Sequence, residues 1–231
     1  MSKREKEVTE MMKPGDGFVQ SFARGLAVIG TFSEERSEQT LSQVAKEAGI
    51  TRAGARRILL TLVNLGYAEV NGSAFRLTPK ILDLGFAYLS SMPFWNLGQP
   101  VLEHLVEQVK ESSSIAVLDD DDVVYVLRVP TRKIMTVSLS IGSRLPALWT
   151  SLGRVILADK TDDEIREYIK LSDLSAKTST TITEPEVLLK ELQRIRKKGW
   201  AIVDQELEDG LISIAAPIKD RQGRVIAAIN I

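Results

Sequence analysis

The chain has 231 residues, 44% hydrophobic and 26% charged, enough apolar material for two modest domains or one large one, which excludes wholesale disorder. No apolar run is long enough to cross a bilayer, and the N-terminus is polar and charged, so a cytoplasmic chain without membrane contact is expected. With no cysteine and a single histidine, disulfides, thiolate metal sites, cysteine nucleophiles and paired-imidazole sites are excluded; no metal, cofactor or catalytic residue is expected. The net charge of −1 hides an asymmetry, because residues 20–80 carry eight basic against five acidic side chains and residues 81–231 eighteen against twenty-two. A basic surplus at one end fits a single domain that meets phosphate.

Residues 1–17 have balanced charge, little apolar periodicity and a Pro14-Gly15-Asp16-Gly17 break, and read as a mobile arm. From Phe18 to Thr31 the spacing of Phe22, Leu26 and Ile29 predicts a helix capped by Ser21. Leu41, Val44, Ala45 and Ala48 then share one helical face, and Gly49 suits a left-handed stop. Thr51 opens a second helix through Leu65, with Ala55, Ile58, Leu59, Leu62 and Val63 inward. Two short helices about a glycine turn make a helix-turn-helix. Residues 67–77 read as a hairpin on the Asn71-Gly72 turn, so the order of elements over 18–78 is that of a winged helix. Thr78-Pro79 predicts a helix to about Ser91, with Thr78 as cap. Another follows on Leu97, Val101, Leu102, Leu105, Val106 and Val109. Residues 79–111 therefore form a helical linker that transmits motion rather than absorbing it.

From residue 112 the period changes to that of strands, at Ser113–Leu118, Val123–Val129 and Ile134–Leu139. Helices follow at about Ser151–Asp159, Asp162–Ile169 and Pro185–Lys198, the last ended by Gly199. Strands at Trp200–Asp204, Leu211–Ile218 and Val225–Ile231 complete an α+β domain over 112–231. The chain stops within that last strand, so the domain is expected to be truncated at its C-terminal end.

In a helix-turn-helix the second helix lies in the major groove. Thr51, Arg52, Gly54 and Arg56 lie off the buried stripe. Arg52 and Arg56 are one turn apart and suited to bidentate contact with guanine, while Arg57 beside them is placed on phosphate. Thr40, Gln43 and Thr61 complete this polar side, with Arg24 and the wing's Arg76 as phosphate candidates. His104 falls on the polar side of its helix without a metal-binding partner and reads as a surface or interface residue. Asp119–Asp122 reads as a solvated turn rather than a cation site. An O-methyltransferase carrying a winged helix would need a glycine-rich cofactor loop, which the sequence after residue 93 lacks. A hydrolase triad fails for want of a usable histidine. A winged helix that binds protein rather than DNA leaves the Arg52/Arg56/Arg57 cluster unexplained.

Ser21–Val28, Ala48-Gly49-Ile50 with Arg57-Ile58-Leu59, Gly142 to Pro146, Thr150-Ser151 with Gly153-Arg154, and Gly199-Trp200-Ala201 through Glu206 to Ala215–Ile218 recur in one order along the chain. Together, over nearly its whole length, they resemble the IclR family of bacterial transcription regulators. Arg56-Arg57, Leu65-Gly66-Tyr67, Ala87–Ser91 and Arg144–Ala147 are similar to the branch that controls protocatechuate, 4-hydroxybenzoate and β-ketoadipate breakdown. The resemblance implies a GAF-like C-terminal sheet domain that binds a small aromatic or dicarboxylic acid. It also implies a homodimer or dimer of dimers on a double-stranded DNA operator, RNA polymerase as partner if the chain activates, and a helix beyond Ile231. The implied ligand wall is the Gly142–Arg154 segment, including Leu145 and Pro146. Thr150-Ser151 offers helix N–H groups, Trp149 an aromatic face, and Arg128, Arg144 or Arg154 a fork for the carboxylate, with Arg144 or Arg154 the preferred partner. Glu206 stands at a signature position and is expected to make a structural hydrogen bond.

Overall fold

Thr40 and Thr51 each place a hydroxyl where a free backbone N–H must be satisfied, and the two helices they start organise the first of two units. A computed structural model describes residues 17–92, 95–131 and 139–231, and the chain divides into units at Ser91/Met92. The expected arm, apart from Gly17, and the expected strand Ile134–Leu139, apart from Leu139, lie outside the described residues.

In the first unit α1 (Gln20–Ile29) is followed by β1 (Glu38–Thr40), α2 (Leu41–Glu47), α3 (Arg52–Leu65), β2 (Ala68–Asn71) and β3 (Ala74–Leu77). Val28, Val44, Ala45, Ala55, Leu59 and Leu62 are its buried core. Gly49, at φ +63°, takes the left-handed turn between α2 and α3 that an L side chain resists. The expected cap of α1 is corrected: Val19 holds that position without a side-chain bond, so Ser21 lies inside the first turn. The inward stripe of α1 is corrected too, because Val28 is buried while Phe22 and Leu26 are exposed. Strand β1, which the sequence did not announce, pairs with β3, and β3 pairs with β2, all antiparallel. It is held by buried Gln39, whose Nε2 donates to the Thr31 carbonyl at 2.9 Å and the Thr31 hydroxyl at 3.1 Å. The wing turn is one residue later than expected. Asn71 pairs with Ala74, leaving Gly72-Ser73 as the loop with Gly72 at φ +60°. Thr78 does not cap the next helix; its hydroxyl donates to the Gly66 carbonyl at 2.5 Å. A 3₁₀ turn at Pro79–Ile81 precedes α4 (Leu82–Ser91), which exposes Leu82, Leu84, Phe86 and Tyr88.

The second unit begins with α5 (Trp95–Val109) and continues through β4 (Ser113–Asp119), β5 (Asp122–Val129), β6 (Arg144–Pro146), α6 (Ser151–Leu157), α7 (Asp162–Leu171), α8 (Pro185–Lys198), β7 (Ala201–Asp204), β8 (Ile212–Lys219) and β9 (Val225–Asn230). The six strands form one antiparallel sheet in the order β6-β5-β4-β9-β8-β7. This is the α+β class expected. Helix α5 packs on β4 and β5 through Gly98 and Leu102. A Cβ at Gly98 would stand 2.9 Å from Leu127 Cδ2 and 3.1 Å from Ile115 Cδ1, so the missing side chain is what lets the helix approach the sheet. Leu97 and Val101, expected on the inward stripe, are exposed instead. On the other face α6 is buried along its whole length between the sheet and α8.

The sharpest packing constraint is at Gly153, where an added Cβ would lie 2.1 Å from the Ala147 carbonyl oxygen. Gly153→Ala forces backbone apart and is expected to destabilise the second unit by about 3 kcal/mol or more. All three tryptophans (Trp95, Trp149, Trp200) belong to that unit, so denaturant unfolding followed by their emission measures the loss. Gly25→Ala, in the middle of α1 with nothing within 4 Å of the place its methyl group would take, is expected to raise the stability of the first unit by ~0.5–1 kcal/mol, read by circular dichroism.

Candidate nucleic-acid interface and ligand cavity

The capping hydroxyls fix how α2 and α3 present their first turns. Thr40 and Gln43 form a reciprocal cap, in which the Thr40 N–H and hydroxyl both donate to Gln43 Oε1 at 2.8 Å and the Gln43 N–H donates to Thr40 Oγ1 at 3.5 Å. The Thr-x-x-Gln spacing carries this signal, so Thr40 and Gln43, expected on the DNA-facing side, also have a structural role as the cap of α2. The bond engages the Gln43 carbonyl and leaves its Nε2 as a donor. Thr51 Oγ1 accepts from the Gly54 N–H at 3.1 Å and starts α3. Thr61 turns back on its own helix, donating to the Arg57 carbonyl at 2.9 Å.

Arg52, Arg56 and Arg57 are exposed on α3 and, among the described residues, have no acidic partner; exposed Arg24 on α1 also has none. Arg76 differs. Its Nε donates to Glu69 Oε1 at 2.5 Å, its Nη1 lies 3.6 Å from Glu38 Oε1, and Asn71 Nδ2 donates to the same Glu38 oxygen at 3.0 Å. The wing arginine is thus tied into its own small sheet, while the arginines of α3 make no ion pair among the described residues.

In the second unit a cavity of about 720 Å³, within the range of small-molecule sites, opens beside the start of α6. Of the residues expected to hold a ligand, Arg128, Leu145, Trp149, Thr150 and Ser151 line it. Burial raises the pKa of the lining Tyr125 phenol and the nearby Arg128 guanidinium opposes that rise. Arg128 Nη1 donates to Ser114 Oγ at 3.1 Å, and Ser151 and Ser213 share a hydroxyl–hydroxyl bond of 2.9 Å. The Thr150 hydroxyl accepts from the Gly153 N–H at 3.0 Å, so this helix start satisfies one of its own donors.

Four other candidates lie outside the cavity lining. Arg144, at the edge strand, is held by Asp119 at 2.7 Å and Asp122 at 3.1 Å, so the acidic turn neutralises an arginine rather than merely meeting solvent. Pro146 ends β6 and pairs with Asp122. Arg154 is 1% exposed and forms a two-pronged ion pair with Glu206, both N···O distances being 2.6 Å, while its Nε donates to the Leu148 carbonyl at 2.8 Å. Glu206 accepts further from the Ile182 N–H at 3.0 Å. The preference for Arg144 or Arg154 as the ligand's charged partner is therefore corrected: carboxylates of the protein already occupy both, and Arg128 is the basic group at the cavity among the described residues. His104 is exposed on α5 and within 3.1 Å of Gln108 Nε2.

A winged helix with open arginines on α3, in a chain that also builds a ligand-sized cavity, defines a DNA-binding regulator of the one-component kind. The family model for the IclR helix-turn-helix domain matches residues 21–72, and that for the bacterial transcriptional regulator IclR C-terminal region matches residues 86–231. The chain belongs to the IclR family of bacterial transcription regulators and is not an enzyme. It is 46% identical over 215 residues to the Pca regulon regulatory protein of Pseudomonas putida, a match covering 93% of this chain and 74% of the relative. With the p-hydroxybenzoate hydroxylase transcriptional activator of Acinetobacter baylyi it shares 37% identity over 221 residues, covering 93% and 81% respectively. The crystal structure of an IclR homologue of Microbacterium hydrocarbonoxydans complexed with 4-hydroxybenzoate superposes with a TM-score of 0.81 at 26% identity, covering 92% of this chain and 88% of that one.

Removing one partner of a buried ion pair strands the other charge. Arg154→Leu is therefore expected to destabilise the second unit by about 3–5 kcal/mol, and Arg154→Leu with Glu206→Leu to recover much of it. Tryptophan-monitored denaturant unfolding of the single and double variants checks this; equal losses in both would contradict it.

Proposed function

We propose that the chain is a regulator of aromatic-acid breakdown, in which a small aromatic carboxylate enters the cavity of the second unit and alters the DNA affinity of the first. The observation that carries this reading is Arg128 at a cavity whose lining also includes the apolar side chains of Leu145 and Trp149. The 4-hydroxybenzoate complex of the structural relative supports the same ligand class. The guanidinium forks the carboxylate and the apolar walls take the ring. Ligand binding can shift DNA affinity only through its differential affinity for the two arrangements of the protein.

The DNA reading rests on the open arginines of α3, with Arg52 and Arg56 at base edges and Arg57 on phosphate. One such helix reads few base pairs, so two copies on a two-fold operator are proposed, with a dimer of dimers as the higher state. The exposed apolar side chains of α1 and α4 support an interface between copies. Such a regulator works in the cytoplasm, and contacts RNA polymerase where it activates.

Both the DNA and the ligand side of the reading can be tested. Arg56→Ala is expected to lower operator affinity by ~1–3 kcal/mol and relax base preference at one position. Sedimentation of the protein–operator complex is expected to show two chains per two-fold site, and unchanged affinity and selectivity at matched salt would refute the assignment of Arg56. Arg128→Ala is expected to weaken binding of aromatic carboxylates about tenfold to a hundredfold by calorimetry while leaving ligand-free DNA binding intact. Arg144→Ala is expected to bind ligand like the unaltered chain. Wild-type binding in Arg128→Ala would move the carboxylate elsewhere.

A further inference from the structure

Resting on the DNA reading above, we infer that Glu38 and Glu69 are specificity-determining residues of the wing, which hold Arg76 away from the phosphate backbone and so restrain sequence-independent binding. Strand pairing builds the arrangement. Glu38 on β1 and Glu69 on β2 both stand opposite Arg76 on the central strand β3, and residues paired across a sheet turn their side chains to one face. The neighbouring Gln39 and Phe75 belong to the other face, where Gln39 is buried and Phe75 packs against the core. Glu38, Arg76 and Glu69 therefore form an exposed row on the outer face of the small sheet, with two carboxylates to one guanidinium. Arg76 Nε donates to Glu69 Oε1 at 2.5 Å, and its Nη1 lies 3.6 Å from Glu38 Oε1. Asn71, which precedes the turn glycine, donates from Nδ2 to the same Glu38 oxygen at 3.0 Å and ties that carboxylate to β2.

Two features set this row apart from an ordinary surface ion pair. The first is how the acids are distributed. Arg24, Arg52, Arg56 and Arg57 are exposed without an acidic partner among the described residues, whereas Arg76 has two. The second is position. Strand β1 runs directly into the Thr40 cap of α2, and Thr40 pairs with Ala74 at the loop end of β3. The row thus lies two residues from the start of the helix-turn-helix. Phosphate contacts carry no sequence information, and a free guanidinium at that place would add one wherever the protein slid along a duplex. Base contacts of α3 fix one register in the operator complex, while a non-specific complex samples many, and in those each free arginine settles on a phosphate. Engaging Arg76 within the sheet takes affinity chiefly from the second kind of complex. Its contribution to folding is small, because exposed ion pairs stabilise little.

The test uses the full chain and two duplexes of equal length, one selected by the unaltered protein from a random library and one of scrambled sequence. Binding is followed by fluorescence anisotropy over a range of salt concentrations. Glutamine keeps an oxygen that accepts from Arg76 but removes the charge, so the variant is Glu38→Gln with Glu69→Gln. It is expected to bind the scrambled duplex roughly threefold to tenfold more tightly, with a salt dependence steeper by about one counterion per chain, a readout that a purely structural role would not move. Affinity for the selected duplex is expected to rise less, so that the ratio of the two falls. Adding Arg76→Gln is expected to remove most of the gain. An unchanged salt dependence, a gain fully retained without Arg76, or equal gains on both duplexes overturns the inference while leaving the DNA reading standing. If the unaltered chain selects no sequence, the DNA reading itself fails and the inference with it.

Discussion

Arg154 and Glu206 meet in the interior of the sensor unit, and much of the cavity is arranged around their contact. The arginine reaches back to the Leu148 carbonyl, fixing the turn that presents Trp149, Thr150 and Ser151. The glutamate accepts from the Ile182 N–H, and the backbone around it is tied down by neighbouring threonines. Thr178 and Thr180 donate to the Gln205 carbonyl at 2.6 and 2.7 Å, and Thr181 donates to the Glu206 carbonyl at 2.7 Å. Gln205 is itself held at φ +59°, a conformation that costs energy unless its surroundings impose it. Leu207, Glu208, Gly210 and Leu211 follow directly and line the cavity. A charge pair out of water is a poor source of net stability, but with both carboxylate oxygens engaged it permits one arrangement and penalises others. Close packing of Gly153 on Ala147 acts on the same turn from within the helix.

Much of this was legible in the sequence because it depends on short-range rules. The periodic stripes of α2 and α3, the glycine between them and the Asn-Gly turn fixed the winged helix to within a residue. The failures have identifiable causes. Strand β1 escaped because its buried residue is Gln39, whose polar side chain gives no hydrophobic alternation and is satisfied by partners eight residues back. Phe22, Leu26, Leu97 and Val101 looked like core by periodicity, but one helix can carry two apolar faces, and the period does not tell which of them the same chain covers.

The sites divide along the same line. That Arg52 and Arg56 lie off the buried stripe is a local property of a helix, and the structure keeps it. Which arginine is left for a ligand is not local, because it depends on which carboxylates fold next to which guanidinium. Arg154 and Glu206 are 52 residues apart in the chain and Arg144 and Asp119 are 25 apart. The signature position of Glu206 gave notice of a hydrogen bond, yet nothing short of the fold identified its donor. Arg128 is the least favoured of the three candidates by sequence, and only the fold shows the other two engaged by carboxylates.

The open arginines of α3 have an energetic consequence for the free protein. Arg52 and Arg56 are separated by one turn and carry like charge without a compensating acid among the described residues, an arrangement that weakens a helix by a few tenths of a kcal/mol per pair. The unbound winged helix thus holds a small internal frustration, which added electrolyte relieves by shielding and which a phosphate backbone relieves by neutralisation. Added salt is therefore expected to firm the free fold by shielding that pair, whereas it weakens any complex in which arginines displace the counterions of a phosphate backbone.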